Sequence, residues 1–343
     1  MPPAAVPVPR SQTICPGHAE ARGATAARWS GWNAGDGGGT LVAGRQAAGT
    51  EHGRRMGLTM ALAATAGGAA VLAGLRWAVW RGFRAPRMNG DASPADVGLA
   101  YGDIRIATAN GKTLAGWLIP AAAGAPVVVA MHGWGANAAT LLPLAAALHR
   151  RGFAVLLADA RNHGRSDADS FSSMPRFAED LDAMVDWLRG QMTAAPAPVA
   201  LLGHSVGGAA ALLCASRRPD IDAVISLSAF DHPERVMRAT LARARVPFVP
   251  FGWLVCRYVE RVIGHRFDVI APLATVARVA CPVLIGHGAE DALVPPQAAR
   301  AIAAAAGGRA TLVLLEGAGH EGPPCYDRLG ALLADFLGRA LAP

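Results

Sequence analysis

Three side chains of this sequence have the types and the order along the chain that nucleophilic catalysis requires. Ser205 lies in GHSVGG, residues 203–208, and Asp291 and His320 follow it toward the C-terminus. A serine hydroxyl becomes a useful nucleophile when an imidazole accepts its proton and a carboxylate orients that imidazole. The pattern therefore predicts acyl transfer with Ser205 as nucleophile, His320 as general base and acid, and Asp291 as orienting acid. Glu290 is the other candidate acid.

The glycines around Ser205 predict its local structure. The pattern G-x-S-x-G follows an apolar run at 199–202 and precedes a helical stretch at 209–216, which is the order strand, sharp turn, helix of a nucleophile elbow. Gly203 and Gly207 leave room where the two arms of the turn cross. The hydroxyl of Ser205 is then expected to point away from the end of the strand.

A tetrahedral intermediate also needs donors for its oxyanion. The segment HGWGAN, residues 132–137, follows another apolar run and is the loop expected to supply one backbone N–H. We predict that Trp134 and Val206 provide the two N–H groups of this oxyanion hole. His132 is interpreted as bracing the loop, and the pattern assigns no partner to His287.

The surrounding sequence predicts an α/β fold. Short apolar runs alternate with helical stretches, as in a doubly wound, mostly parallel sheet buried on both faces. Asn110-Gly111 separates two alternating segments and predicts a leading antiparallel hairpin. Asp291 and His320 both follow apolar runs, so both are expected at the carboxyl ends of strands, where open α/β sheets build their sites. The runs lie at 127–131, 154–158, 199–202, 223–227, 283–285 and 311–315.

One crossover is far longer than the others and predicts a helical cap at about residues 231–280. Two stretches inside it, 233–245 and 255–263, have helical patterns and are separated by Pro and Gly residues. Its aromatic side chains have two interpretations: they line an apolar substrate passage, or they form the small core of the cap. These aromatics are Phe248, Phe251, Trp253 and Tyr258.

The net charge of +7 over 343 residues belongs to the N-terminal quarter of the chain. Residues 1–87 carry ten arginines and three acidic residues, whereas residues 88–343 carry 22 basic and 22 acidic residues. The charge balance of the folded part argues against a nucleic-acid partner. Residues 1–55 are rich in Pro, Ala, Gly and Arg and are predicted to be a disordered leader. Met56 is an alternative start, so this leader need not be translated.

Residues 56–80 are predicted to be a single-pass membrane anchor. The first twenty carry no charge, which is long enough to span a bilayer, and Trp77 and Trp80 suit an interface. The flanking arginines favour a cytoplasmic catalytic domain. The alternatives are a signal peptide, which would make the protein secreted or periplasmic, and a buried Ala-rich helix. Residues 81–100 are predicted to be a linker and residues 101–343 the catalytic domain.

Five motifs together resemble the α/β-hydrolase superfamily, and most closely its lysophospholipase, monoacylglycerol lipase and serine aminopeptidase-like branch. They are HGWGAN (132–137), DARNHGRSD (159–167), GHSVGG (203–208), GAEDALVP (288–295) and GAGH (317–320). The resemblance implies an α/β-hydrolase fold and a carboxylesterase or lipase-like serine hydrolase with the triad named above. It implies no metal and no organic cofactor. The expected substrate is a small-molecule ester, lipid-derived if residues 56–80 enter a membrane.

The same machinery leaves other reactions open. A thioesterase, an aminopeptidase or amidase, and an acyltransferase would all use this triad. A binding pseudohydrolase is the non-catalytic alternative, and the completeness of the triad argues against it.

Overall fold

The structure is a computed structural model that describes residues 42–88, 90–192, 197–322 and 326–342. The chain divides into two units, with the boundary between Gly67 and Gly68. The eight strands belong to the second unit and form one sheet. They are Gly102–Thr108 (β1), Lys112–Ile119 (β2), Val127–Met131 (β3), Ala154–Ala158 (β4), Val199–His204 (β5), Ala223–Leu227 (β6), Val283–Gly288 (β7) and Ala310–Leu315 (β8).

The strands lie in the order β1-β2-β4-β3-β5-β6-β7-β8. β2 is antiparallel to both of its neighbours, and the other adjacent strands run parallel. This confirms the predicted mixed sheet with a leading hairpin. Asn110 and Gly111 both have positive φ angles, of 60° and 64°, which a tight turn after β1 requires and which Asn and Gly tolerate.

Ten helices accompany the sheet in the described residues. They are Val42–Gly82 (α1), Leu142–His149 (α2), Met174–Gln191 (α3), Val206–Ala215 (α4), Pro233–Arg243 (α5), Trp253–Ile263 (α6), Phe267–Ile270 (α7), Pro272–Thr275 (α8), Gln297–Ala305 (α9) and Tyr326–Ala340 (α10).

The central strands are buried on both faces, as their continuous apolar runs predict. All five residues of β3 and all five of β4 are buried. Alternate residues of these strands contribute to two separate apolar cores, one on each face of the sheet. One core contains residues of α3 and α4, and the other contains residues of α2 and α10. The sheet thus provides a rigid edge on which loops between strands and helices carry polar side chains.

The first helix corrects the predicted end of the leader. α1 begins at Val42, so residues 42–55 are helical, whereas the sequence predicted disorder through residue 55. Ala, Arg, Gln and Glu are strong helix formers, and adding residues to an existing helix is favourable even without apolar periodicity. The rest of the predicted leader, residues 1–41, lies outside the described residues.

One stretch of α1, Arg54–Gly82, is able to cross a membrane on the grounds of its length and its mean hydropathy of 1.7. This stretch includes the predicted anchor, residues 56–80. This property is compatible with a membrane anchor or with a signal sequence.

The predicted linker, and Trp80 just before it, contact residues 166–172. The rings of Trp80 and Phe83 meet the ring of Phe171 edge-on, with centroids 5.3 and 6.4 Å away. The N–H of Ser172 donates to the carbonyl of Phe83 at 3.0 Å, and the Arg87 guanidinium donates to the Ser166 carbonyl at 3.0 Å. Aromatic packing of this kind is long-range, so local composition did not predict it.

The predicted cap consists of α5 to α8. The two predicted helical stretches correspond to α5 and α6, although α6 begins two residues earlier, at Trp253. The aromatic side chains divide into two groups: Phe248 and Tyr258 are half-buried, whereas Phe251 and Trp253 are exposed. The last two therefore do not form the core of the cap.

Candidate active site

Ser205 occupies a strained turn between β5 and α4. Its φ and ψ are 55° and −118°, a conformation that a non-glycine residue adopts only when the surroundings enforce it. Its N–H donates to the Leu227 carbonyl at 2.8 Å, which ties the turn to the end of β6. The turn places Val206 at the first position of α4, where helical N–H groups have no carbonyl one turn earlier.

The two glycines of the elbow are required by close contact. A Cβ at Gly203 would lie 2.1 Å from the Gly207 carbonyl oxygen. A Cβ at Gly207 would lie 2.5 Å from the carbonyl oxygens of both Met131 and His132. Any larger side chain would push the elbow away from β3, so the pattern G-x-S-x-G has a direct steric cause here.

The structure brings together all three side chains of the predicted triad. His320 Nε2 lies 3.0 Å from Ser205 Oγ, and His320 Nδ1 lies 2.7 Å from Asp291 Oδ2. A carboxylate only accepts, so Nδ1 carries the proton and Nε2 is left to accept the Ser205 hydroxyl. The arrangement can transfer a proton from the hydroxyl to the imidazole.

Asp291 is held by the loop that follows β7. Its Oδ1 accepts the backbone N–H groups of Leu293 at 2.9 Å and Val294 at 2.8 Å. These bonds leave Oδ2 directed at His320. The other candidate acid, Glu290, is exposed, and its N–H donates to the Ala318 carbonyl at 3.0 Å. The geometry therefore favours Asp291 over Glu290.

The structure adds a residue that the sequence pattern left without a partner. His287 is fully buried at the end of β7, and its Nε2 lies 3.2 Å from Asp291 Oδ2 and 2.9 Å from the Val294 carbonyl oxygen. Its Nε2–H is thus shared between a carbonyl and the triad carboxylate. Its Nδ1 is buried without a hydrogen-bond partner in the described part of the chain. A histidine inside an apolar strand, four residues before the acid, was the available signal.

The predicted oxyanion loop runs close to the elbow. A Cβ at Gly133 would lie 3.4 Å from Ser205 Cβ and 3.2 Å from His204 Nδ1, so the backbone passes beside the nucleophile. Two neighbouring N–H groups are used within the framework: Gly135 donates to His163 Nε2 at 3.1 Å and Ala136 donates to the Gly133 carbonyl at 3.3 Å. The N–H of Trp134 comes immediately before these two in the chain.

Two buried histidines, both in the neutral form, hold this loop in place. His132 donates through Nδ1 to the Gly133 carbonyl at 2.7 Å and accepts the Ala160 N–H at Nε2 at 3.0 Å. His163 donates through Nδ1 to the Arg161 carbonyl at 2.9 Å and accepts Gly135 at Nε2. Burial, together with the repulsion that a protonated His163 would exert, lowers the pKa of His132 to about 4, and burial also lowers the pKa of His163. His132 therefore braces the loop, as the sequence predicted.

The loop after β4 contains a buried ion pair. Arg161 Nε donates to Asp180 Oδ1 at 2.7 Å and the Arg161 N–H donates to Oδ2 at 2.9 Å, with both side chains about 1% exposed. Asp159 accepts the N–H groups of Ala138 and Arg165, each at 2.7 Å. These bonds give the segment 159–167 a structural role beside the site.

His204 connects the elbow to the histidine loop. Its Nε2 donates to the His320 carbonyl at 2.7 Å, and the two imidazole rings lie 5.2 Å apart. Within the described residues, no group of three or more His, Cys, Asp or Glu side chains is arranged to hold a metal ion.

Comparison with known proteins places the chain in a family. The family model described as serine aminopeptidase, S33 matches residues 123–257. An uncharacterized protein of Mycobacterium tuberculosis is 31% identical over 241 residues, covering 70% of this chain and 78% of that protein. The chain belongs to the α/β-hydrolase superfamily. It is a hydrolase, and its fold is the α/β-hydrolase fold.

Two further proteins that are similar to this hydrolase are named for their activities. The sn-1-specific diacylglycerol lipase of Mus musculus is 36% identical over 97 residues, which cover 28% of this chain and 30% of the lipase. The solved structure of the Pyrococcus furiosus esterase Pf2001 superposes with a TM-score of 0.61 at 20% identity, covering 76% of this chain and 98% of the esterase. The latter similarity concerns the fold alone.

Proposed function

We propose that this α/β hydrolase is a serine esterase that cleaves carboxylic esters through an acyl-enzyme on Ser205. The observation that carries the proposal is the continuous hydrogen-bonded chain from Ser205 Oγ through His320 to Asp291, with distances of 3.0 and 2.7 Å. Each group is fixed by elements of the sheet edge, so the geometry is formed before substrate binds.

In the acylation half, Ser205 Oγ attacks the ester carbonyl carbon while its proton passes to His320 Nε2. The carbonyl oxygen becomes an oxyanion, which accepts hydrogen bonds from the N–H groups of Trp134 and Val206. The intermediate collapses with cleavage of the ester C–O bond. The leaving alkoxide takes the proton from His320, and the acyl group remains on Ser205.

In the deacylation half, a water molecule takes the place of the alcohol. His320 accepts a proton from this water as its oxygen attacks the acyl carbon, and a second oxyanion occupies the same donors. Collapse returns the proton to Ser205 and releases the carboxylic acid. Asp291 keeps the imidazole in the Nδ1–H tautomer throughout and stabilises its transient positive charge.

The choice of an ester over an amide or a thioester rests on the relatives. The mouse lipase is named for ester cleavage, whereas the family model is named for an aminopeptidase. Amidase, thioesterase and acyltransferase activities would use the same side chains. Parallel rates on matched ester, thioester and aminoacyl-amide substrates distinguish them, and we expect the ester to have the highest kcat/KM.

The test is hydrolysis of p-nitrophenyl butyrate by the full chain and by Ser205→Ala. We expect the substitution to lower kcat by at least about 10⁴-fold, the usual cost of losing a triad nucleophile. Ser216→Ala is the matched control, because Ser216 lies at the far end of α4 and its hydroxyl donates to the Leu213 carbonyl. Equal losses in both variants, or an active Ser205→Ala protein, would contradict the proposal.

We further propose that residues 56–80 anchor the enzyme to a membrane in a single pass, with the catalytic domain in the cytoplasm and lipid-derived esters as substrates. The hydropathy of Arg54–Gly82 and the arginines that flank it support this. Retention in the membrane pellet after an alkaline carbonate wash is expected. Release as a shorter, N-terminally processed protein would indicate a signal peptide instead.

The substrate class is tested by the rate of ester hydrolysis as a function of acyl-chain length. An unchanged rate from four to sixteen acyl carbons would contradict lipid-derived substrates.

A further inference from the structure

A short segment of the cap exposes large apolar side chains. We name Val249, Phe251, Trp253 and Leu254 the cap tip. Their exposed fractions are 78%, 59%, 49% and 49%. Single exposed apolar residues are ordinary, but four within six positions, two of them aromatic, form a continuous apolar segment. Water is a poor environment for such a segment.

The cap tip is held in place by buried contacts beneath it. Gly252 is buried, and a Cβ there would lie 2.8 Å from the Phe248 ring and 3.1 Å from a Leu241 methyl group. The Arg238 guanidinium lies 3.4 Å from the centroid of the Phe248 ring. The apolar side chains are thus presented outward from a packed base.

The same part of the chain has an excess of positive charge. Residues 231–266 contain seven arginines and three acidic residues. All three carboxylates are engaged: Asp231 with Arg235, Glu234 with Arg238, and Glu260 with Arg257 and Arg266. The catalytic domain as a whole is charge-balanced, so the excess is local to the cap.

Three exposed arginines of the cap remain without a carboxylate partner in the described part of the chain: Arg243, Arg245 and Arg261. Arg261 lies seven residues after Leu254 in α6, and therefore on the same face of the helix, two turns away. Arg243 and Arg245 lie six and four residues before Val249 in the chain. Arginines without a carboxylate partner therefore lie both before and after the cap tip in the sequence.

We propose that the cap tip binds the surface of an anionic phospholipid bilayer. Aromatic and aliphatic side chains gain free energy at the boundary between head groups and acyl chains, while nearby arginines bind anionic head groups. An acidic protein would satisfy the arginines but would not by itself account for the exposed Phe251 and Trp253. This contact is separate from the candidate span in α1 and does not depend on the reaction at Ser205.

The experiment reports the environment of Val249 in the full chain. Val249→Cys is labelled with a solvent-sensitive fluorophore and reconstituted into vesicles of phosphatidylcholine alone or of phosphatidylcholine with phosphatidylglycerol. We expect blue-shifted emission in the phosphatidylglycerol vesicles, reversal by high salt, and water-like emission in phosphatidylcholine. The unsubstituted chain, labelled in parallel, gives the background from native cysteines. Ala304→Cys, exposed on α9, is the matched control position and should stay water-like.

A charge variant tests the arginines directly. Arg243→Gln/Arg245→Gln/Arg261→Gln should lower the ratio of bound to free cap tip by about 100-fold, or about fivefold for each arginine. Arg217→Gln/Arg300→Gln/Arg328→Gln removes the same charge from exposed arginines outside the cap and should change nothing. Equal emission in both kinds of vesicle, or equal effects of the two triple variants, would overturn the proposal. A shift in phosphatidylcholine that grows with the protein-to-lipid ratio would overturn it in favour of a contact between two copies.

Discussion

The loops at the carboxyl edge of the sheet differ from the cap in how their side chains are paired and buried. At the edge, Asp291 is buried and accepts two backbone N–H groups, and the neutral His132 and His163 each make two hydrogen bonds. In the cap, four large apolar side chains face solvent and three arginines lack carboxylate partners in the described residues. At the edge, these polar groups are paired within the chain, which preorganises them. In the cap, the exposed apolar side chains and the three arginines are the groups that we propose bind an anionic bilayer.

The largest effect on kcat is expected from replacing Asp291, the carboxylate at the edge of the sheet. Asp291→Asn keeps the size of the side chain but permits the wrong tautomer of His320, so kcat should fall by about 10⁴-fold. Glu290→Gln is the matched control and should retain kcat within about twofold, because Glu290 is exposed. Steady-state kinetics on p-nitrophenyl butyrate measures both. A larger loss from Glu290→Gln would exchange the roles of the two acids.

The steric demand of the elbow should appear in stability. Gly207→Ala places a Cβ 2.5 Å from two backbone carbonyl oxygens, and we expect it to lower the free energy of unfolding by about 3 kcal/mol or more. Gly190→Ala, in α3 with no atom within 4 Å of its Cβ, should leave stability unchanged or slightly raised. Urea unfolding of both variants is the measurement. Equal midpoints would show that the elbow relaxes without cost.

A smaller effect on kcat is expected from replacing His287, which contacts Asp291. His287→Phe removes the Nε2–H that lies 3.2 Å from Asp291 Oδ2, and kcat should fall about tenfold with KM unchanged, the cost of one hydrogen bond to a charged group. His287→Asn retains a donor and should recover part of the loss. A change in KM alone, or identical kcat values for Phe and Asn, would assign His287 to packing only.

The neutral histidines make stability depend on pH in a defined direction. Their pKa values are lowered in the folded chain, for His132 from 6.5 to about 4, so the unfolded chain binds protons first as the pH falls. Each then favours unfolding below about pH 6.5, and its contribution levels off below its folded pKa. The urea midpoint should therefore decline between neutral pH and about pH 4. His132→Asn/His163→Asn should show a shallower decline, and an identical decline would contradict this origin.

The smallest effect is expected from the cap tip. Phe251→Ser and Val249→Ser remove exposed side chains, so the free energy of unfolding should change by no more than about 0.5 kcal/mol. Phe177→Ala, which empties a fully buried position in α3, should cost about 3–5 kcal/mol for comparison. A strongly destabilised Phe251→Ser would mean that the cap tip is part of the core after all.

The strands were predictable because central parallel strands have continuous apolar runs. The bounds of β3, β4 and β6 agree with the predicted runs to the residue. The meeting of Ser205, His320 and Asp291 was predictable for a related reason: each lies in a turn or loop that follows the carboxyl end of a strand, and the sheet brings these ends to one edge. Local sequence therefore determined which chemical groups meet.

Contacts between distant segments were not predictable in the same way. The contact of Trp80 and Phe83 with Phe171 joins segments about ninety residues apart, and nothing in the local composition identifies the partner. The partners of His287 depend on how the loop after β7 folds back over the strand end. The exposure of Phe251 and Trp253 depends on how α5 and α6 pack, which helical periodicity does not determine.

The most direct test of the central claim is the position of a covalent adduct. The full chain is treated with a fluorophosphonate, which phosphonylates an activated serine, and the modified residue is located by mass spectrometry. We expect a single adduct on Ser205, in the peptide that contains residues 203–208, and none in the Asp291→Asn variant on the same timescale. An adduct on another serine, or an unmodified Ser205 in an intact folded chain, would contradict the assignment of Ser205 as the nucleophile.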